Sequence, residues 1–112
     1  METRRQSKIA RLLQKELAEI FRQKQISYNN AMITVTIVRV SPDLSVAKVY
    51  LSIFSPQHKN EDILENIKEK SKGLRAELAS KLRYQLMKIP EFVFYLDDSL
   101  DYLENIDRLL KK

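Results

Sequence analysis

The sequence predicts an α+β domain built on a three-stranded mixed sheet, with helices mainly on one face. Three observations predict it: apolar residues at helical spacing over 5–24, two β-branched runs flanking a proline turn within 32–54, and a short aromatic run at 91–96 after a long helical stretch. A strand entered after a helical crossover usually joins the same sheet, and helices laid on one side bury every apolar stripe at once. At 112 residues the chain is read as a single domain, residues 1–112, with a core over 1–98 and a C-terminal helix over 99–112.

In residues 5–24, Ile9, Leu12, Leu13, Leu17, Ile20 and Phe21 form one helical stripe. Turning that stripe inward leaves the basic side chains of the same segment in solvent. Ser27-Tyr28-Asn29-Asn30 is a loop, because asparagine tolerates left-handed backbone. Met32–Val40 is the first strand, and simple alternation puts Ile33, Val35 and Ile37 on one face with the threonines on the other. Ser41-Pro42-Asp43-Leu44-Ser45 supplies the turn: proline pre-sets φ, and aspartate can bond the backbone beyond it. Val46–Phe54 then returns antiparallel. Ser55-Pro56-Gln57-His58 breaks that strand, and Asn60 is placed to cap a helix with Glu61 and Asp62 in its first turn.

Ile63, Leu64, Ile67, Leu74, Leu78 and Leu82 continue at helical spacing, with Ser71-Lys72-Gly73 in the middle. Glycine in a helix costs about 1 kcal/mol relative to alanine, and serine offers the backbone a competing bond, so a kink is expected at those three residues. Pro90 limits the helix at about Ile89. Glu91–Leu96 is the third strand, and Asp97-Asp98-Ser99 caps a last helix carrying Leu103, Ile106 and Leu110 on one face.

Composition narrows the chemistry. The absence of cysteine excludes disulfides, thiolate metal sites and thiol nucleophiles. A single histidine leaves little room for metal or base chemistry, and a single glycine excludes glycine-rich phosphate loops. Asp97 and Asp98 are better read as a cap than as an acid/base pair. His58 has no acidic or serine partner at a motif spacing, and Ser41 and Ser45 lack a nucleophile elbow. No enzyme, cofactor or metal is expected. The first residues lead into no unbroken apolar stretch, so neither a signal peptide nor a membrane span is expected, and the cytoplasm is the expected compartment. The basic amphipathic helix over 5–24 could lie on an anionic membrane, but its stripe is needed to cover the sheet.

The net charge of +5 is unevenly spread. Residues 1–24 carry seven Lys/Arg against three Asp/Glu, and residues 68–88 carry seven against two, while the remaining segments are neutral or acidic. Two basic segments converging in the fold would make the footprint of a polyanion binder.

The order helix, hairpin, kinked helix, strand, with a basic first helix, resembles the KH domain of type II topology. More specifically, the chain is similar to the ribosome-binding factor A family. Arg5-Gln6-Ser7-Lys8-Ile9-Ala10 and Gln14-Lys15-Glu16-Leu17 resemble that family's opening. Val40-Ser41-Pro42-Asp43-Leu44-Ser45-Val46-Ala47-Lys48-Val49-Tyr50 resembles its hairpin signature, and Pro90-Glu91-Phe92 and Asp98-Ser99 follow in the expected order. Ordinary KH domains clamp single strands with a GxxG loop. The family carries an interrupted helix there instead, marked Ala-x-Gly, for which Ser71-Lys72-Gly73 is the nearest equivalent.

The resemblance implies a non-enzymatic, monomeric factor that binds the free 30S subunit through 16S rRNA, supports late maturation and precursor processing, and serves growth in the cold. The candidate phosphate-gripping residues are Arg4, Arg5, Lys8, Arg11 and Lys15 in the first basic segment. In the second they are Lys68, Lys70 and Lys72, followed by Arg75, Lys81, Arg83 and Lys88. Two alternatives stay open: a generic nucleic-acid module, including a DNA-binding helix-turn-helix around Gly73, and a protein-interaction module using the last helix.

Overall fold

Helix α1 starts where Thr3 and Gln6 close a reciprocal cap. In the computed structural model, which describes residues 3–97, α1 spans Arg4–Gln23. The Gln6 backbone N–H donates to the Thr3 hydroxyl at 3.1 Å, and the Thr3 N–H donates to Gln6 Oε1 at 2.8 Å. Gln6 is also buried, and its amide nitrogen donates to the Val40 carbonyl at 2.9 Å, tying the helix start to a strand end. After a 3₁₀ turn over Gln25–Tyr28, Asn29 and Asn30 take left-handed φ values of 61° and 57°, as the paired asparagines predict.

Strand β1 (Met32–Val40) pairs antiparallel with β2 (Val46–Phe54), and β3 (Glu91–Leu96) lies parallel on the other side of β2. The sheet order is β1-β2-β3, the mixed sheet expected. Between β2 and β3 run α2 (Asn60–Glu69) and α3 (Ser71–Leu82). The core lies between the helices and one sheet face: Leu13, Leu17 and Ile20 of α1, Val49 and Leu51 of β2, and Ile63 and Ile67 of α2 have no exposed surface. Phe92 and Phe94 complete it from β3. The last helix expected over 99–112 lies outside the described residues.

Four local expectations are corrected. The first concerns β1, where Val35 pairs with Leu51 but Ile37 pairs with Tyr50, leaving Thr36 as an extra residue, a β-bulge. The bulge shifts the phase of alternation, so Val35, Val38 and Val40 are buried while Ile37 is turned out and 38% exposed. Gln14 of α1 packs on this spot, its amide donating to the carbonyls of Val35 at 2.9 Å and Thr36 at 3.3 Å. The Thr36 hydroxyl lies within hydrogen-bonding reach of the Tyr50 carbonyl and the Asp97 carboxylate.

Second, the helix interruption falls at Lys70, one residue before the predicted kink at Ser71, Lys72 and Gly73, which instead form the first turn of α3. Lys70 sits at φ −94°, ψ 8°, between helical and extended backbone. Its ammonium donates to the Ser27 carbonyl and lies 4.9 Å over the Tyr28 ring, so tertiary anchoring fixes the bend. Gly73 has no steric duty: a Cβ built there meets nothing within 4 Å, and its φ is not positive. Replacing it with alanine, Gly73→Ala, is expected to stabilise the fold by about 0.5–1 kcal/mol, read as a higher thermal midpoint with the same spectrum.

Third, α3 ends at Leu82 instead of about Ile89. Arg75 Nη2 donates to the Ile89 carbonyl at 3.0 Å, and Ile89 and Pro90 are buried, so the connector 83–90 leaves the helix to bring both onto the core. Fourth, α2 is preceded by Lys59 in the cap position with no side-chain bond, and Asn60 is its first helical residue.

Candidate nucleic-acid interface

The bonds that cap α1 fix its rotation, and its solvent face carries Arg4, Arg5, Lys8, Arg11 and Lys15, all exposed. Beside that face stand the hairpin turn and the connector 83–90. Together they enclose an open groove of about 870 Å³. Arg5, Lys8, Arg11 and Lys15 line it from α1, and Lys88 lines it from the connector. The two basic segments of the sequence therefore do meet, through these five cations. One carboxylate, Asp43 of the turn, is among the lining groups.

The turn is a built element. Asp43 Oδ1 accepts from the hydroxyls of Ser41 and Ser45 at 2.7 Å each and from the Ser45 N–H at 3.2 Å, while the Ser41 hydroxyl oxygen accepts from the Val46 N–H at 3.0 Å. Leu44 is held at a left-handed φ of 63°, which turns its side chain toward the groove. The Ser41 hydroxyl first, then the Ser45 hydroxyl and N–H, hold the Asp43 carboxyl down at about 2, below its ordinary 3.8. Because the folded value lies below the unfolded one, the contribution to stability is present above pH 3.8 and is lost as pH falls through about 2. An acid titration followed by the Ser45 amide resonance is expected to show this transition, and Asp43→Asn is expected to abolish it.

Of the other sequence-predicted residues, Arg75, Arg83 and Lys88 line a second depression that shares Leu86, Met87 and Lys88 with the groove. Arg75 serves the fold through Ile89, and its Nε is buried with no hydrogen-bond partner among the described residues. Lys70 is committed to Ser27 and Tyr28. Lys68, Lys72 and Lys81 are exposed but line neither concavity, and Arg4 is on α1 beside the groove without lining it.

Charge alone does not single out the apolar residues that also line the groove, among them Leu12, Leu44, Leu86 and Met87. Leu12 belongs by spacing to the core stripe, yet it is only partly buried. Tyr84 of the connector is 88% exposed. Among the described residues no group of acidic, histidine or cysteine side chains could hold a metal ion, and no helix is long and apolar enough to cross a membrane.

A family model described as ribosome-binding factor A matches residues 5–110. The ribosome-binding factor A of Cytophaga hutchinsonii is 49% identical over 113 aligned residues, which cover 100% of this chain and 84% of that protein. The crystal structure of ribosome-binding factor A from Thermus thermophilus superposes with a TM-score of 0.69 at 25% identity, over 81% of this chain and 94% of that one. A homology model of the Thermus thermophilus factor, fitted into a cryo-electron-microscopy map of a 30S complex, gives a TM-score of 0.52 at 29% identity, over 61% and 69% of the two chains.

Proposed function

This chain belongs to the ribosome-binding factor A family, and from that membership we propose that it binds the free small ribosomal subunit through 16S rRNA and supports its late maturation, including precursor processing. The observation that carries the reading is the groove in which Arg5, Lys8, Arg11, Lys15 and Lys88 come together. Cations gathered on one concave face neutralise neighbouring phosphates and release their counterions, which supplies affinity without chemistry. Folded RNA presents backbone and 2′-hydroxyls across a shallow groove, so selectivity comes from shape.

The factor acts by binding, as a single chain in the cytoplasm, and holds a late RNA conformation while processing is completed. Mispaired RNA helices melt more slowly in the cold, so the need for such a factor is greatest there. Cosedimentation of the full chain with purified free small subunits, compared with assembled ribosomes, tests the reading. Association is expected with free subunits, with log affinity falling by several units per unit of log salt concentration. Binding that ignores salt, or that favours assembled ribosomes, overturns it.

A further inference from the structure

The cationic groove has an apolar floor, which phosphate binding alone leaves unused. Leu12 of α1, Leu44 of the hairpin turn and Leu86 of the connector line it, each partly buried against the core, and the exposed Met87 lines it from the connector as well. A duplex meets a protein with ribose and phosphate and keeps its base faces stacked inside, so it cannot reach such a floor. An unpaired base can, because its faces are flat and apolar while its own phosphate stays at the charged rim.

The connector adds a second, independent observation. Tyr84 is 88% exposed and Met87 is fully exposed, although both are large and apolar. The Arg83 guanidinium lies 4.9 Å over the Tyr84 ring and donates to its hydroxyl at 2.8 Å, which backs one face of the ring and leaves the other to solvent. An exposed aromatic ring backed by a cation is the kind of surface on which bases stack. Tyr84 itself lines neither concavity; it stands beside them, its sequence neighbour Gln85 lining the groove and Arg83 the second depression. An acidic amphipathic peptide would match the charge and the floor, but gains no comparable stacking from that ring.

We propose that the groove between α1 and the connector receives unpaired nucleotides of RNA. Bases inside it lie against Leu12, Leu44 and Met87, a base leaving it stacks on Tyr84 at its side, and their phosphates lie on Arg5, Lys8 and Lys88. This rests on the RNA-binding reading above and narrows its ligand from folded RNA in general to a stretch outside any helix.

The test is fluorescence anisotropy of the full chain with a short labelled oligoadenylate and with the same strand annealed to its complement. The single strand is expected to bind more tightly. The double variant Tyr84→Ala, Met87→Ser is expected to lower single-strand affinity roughly tenfold. Duplex affinity and the salt slope should not change, since every phosphate-binding cation is kept. Both positions are exposed, and an unchanged melting curve will show that the variant is folded. Equal affinity for strand and duplex, an unaffected variant, or stronger displacement by an acidic peptide than by unlabelled strand each overturns the proposal. Cosedimentation with small subunits separates the two levels: if it persists while the single-strand preference is absent, only the nucleotide assignment fails.

Discussion

Reversing charge at Arg5 and Lys8 together is expected to weaken binding to free small subunits by roughly tenfold or more at moderate salt. It should also flatten the logarithmic salt dependence by about two, one unit for each phosphate that is no longer neutralised. Both side chains are exposed, line the groove, and are held by no ion pair among the described residues. Their position at the start of α1 makes the outcome clean. Acidic residues are favoured near a helix N-terminus, so Arg5→Glu and Lys8→Glu should leave the helix as stable as before or slightly more so. A titration by cosedimentation at several salt concentrations, with a thermal melt on the same samples, reads both quantities. Retained binding in a folded double variant would remove this face from the interface.

The largest effect on stability is expected at Leu51. It lies in the central strand, pairs with Val35 on one side and Leu96 on the other, and has no exposed surface. Leu51→Ala strips apolar packing from the core and leaves a cavity that a paired central strand cannot collapse to fill, at a cost of about 3 kcal/mol. A domain of this size has only about 5–15 kcal/mol to lose. The midpoint should therefore fall by some 10–20 °C. Ile37→Ala is the matched comparison: on simple alternation Ile37 shares a face with Val35, yet it is turned out, and its loss is expected to cost under about 1 kcal/mol. Urea unfolding with an unchanged slope measures both, and equal losses at the two positions would refute the phase shift at Thr36.

Elements were legible in the sequence wherever one periodicity ran undisturbed. The stripe from Ile9 to Phe21 needed only counting, the β-branched run of Val46–Phe54 after a proline turn marked the return strand, and the two asparagines announced their own backbone. Counting failed at Thr36 because one inserted residue leaves composition and propensity untouched while inverting every side chain after it. It failed at Lys70 because the bend depends on Ser27 and Tyr28, residues far away in the chain. Pro90 set an outer limit for α3, but where the helix ended was decided by the burial of Ile89 and Pro90. The site was half legible for the same reason. Charge along the chain identified the two basic segments, but only the fold shows that Lys88 faces α1 while Lys68, Lys72 and Lys81 do not line the groove. Its apolar floor was hidden because a leucine on a stripe reads as core whether or not something covers it.

The bulge at Thr36 has a further consequence, for how the protein behaves among copies of itself. Among the described residues no further strand pairs with either outer strand of the sheet β1-β2-β3, and open strand edges invite strand-by-strand aggregation. An extra residue in β1 breaks the even spacing that an incoming strand needs, and Gln14 already occupies the carbonyls of Val35 and Thr36. At the opposite edge β3 is only six residues long and follows a proline. Neither margin offers a regular template, so the fold carries its own protection against fibrous self-association at high concentration.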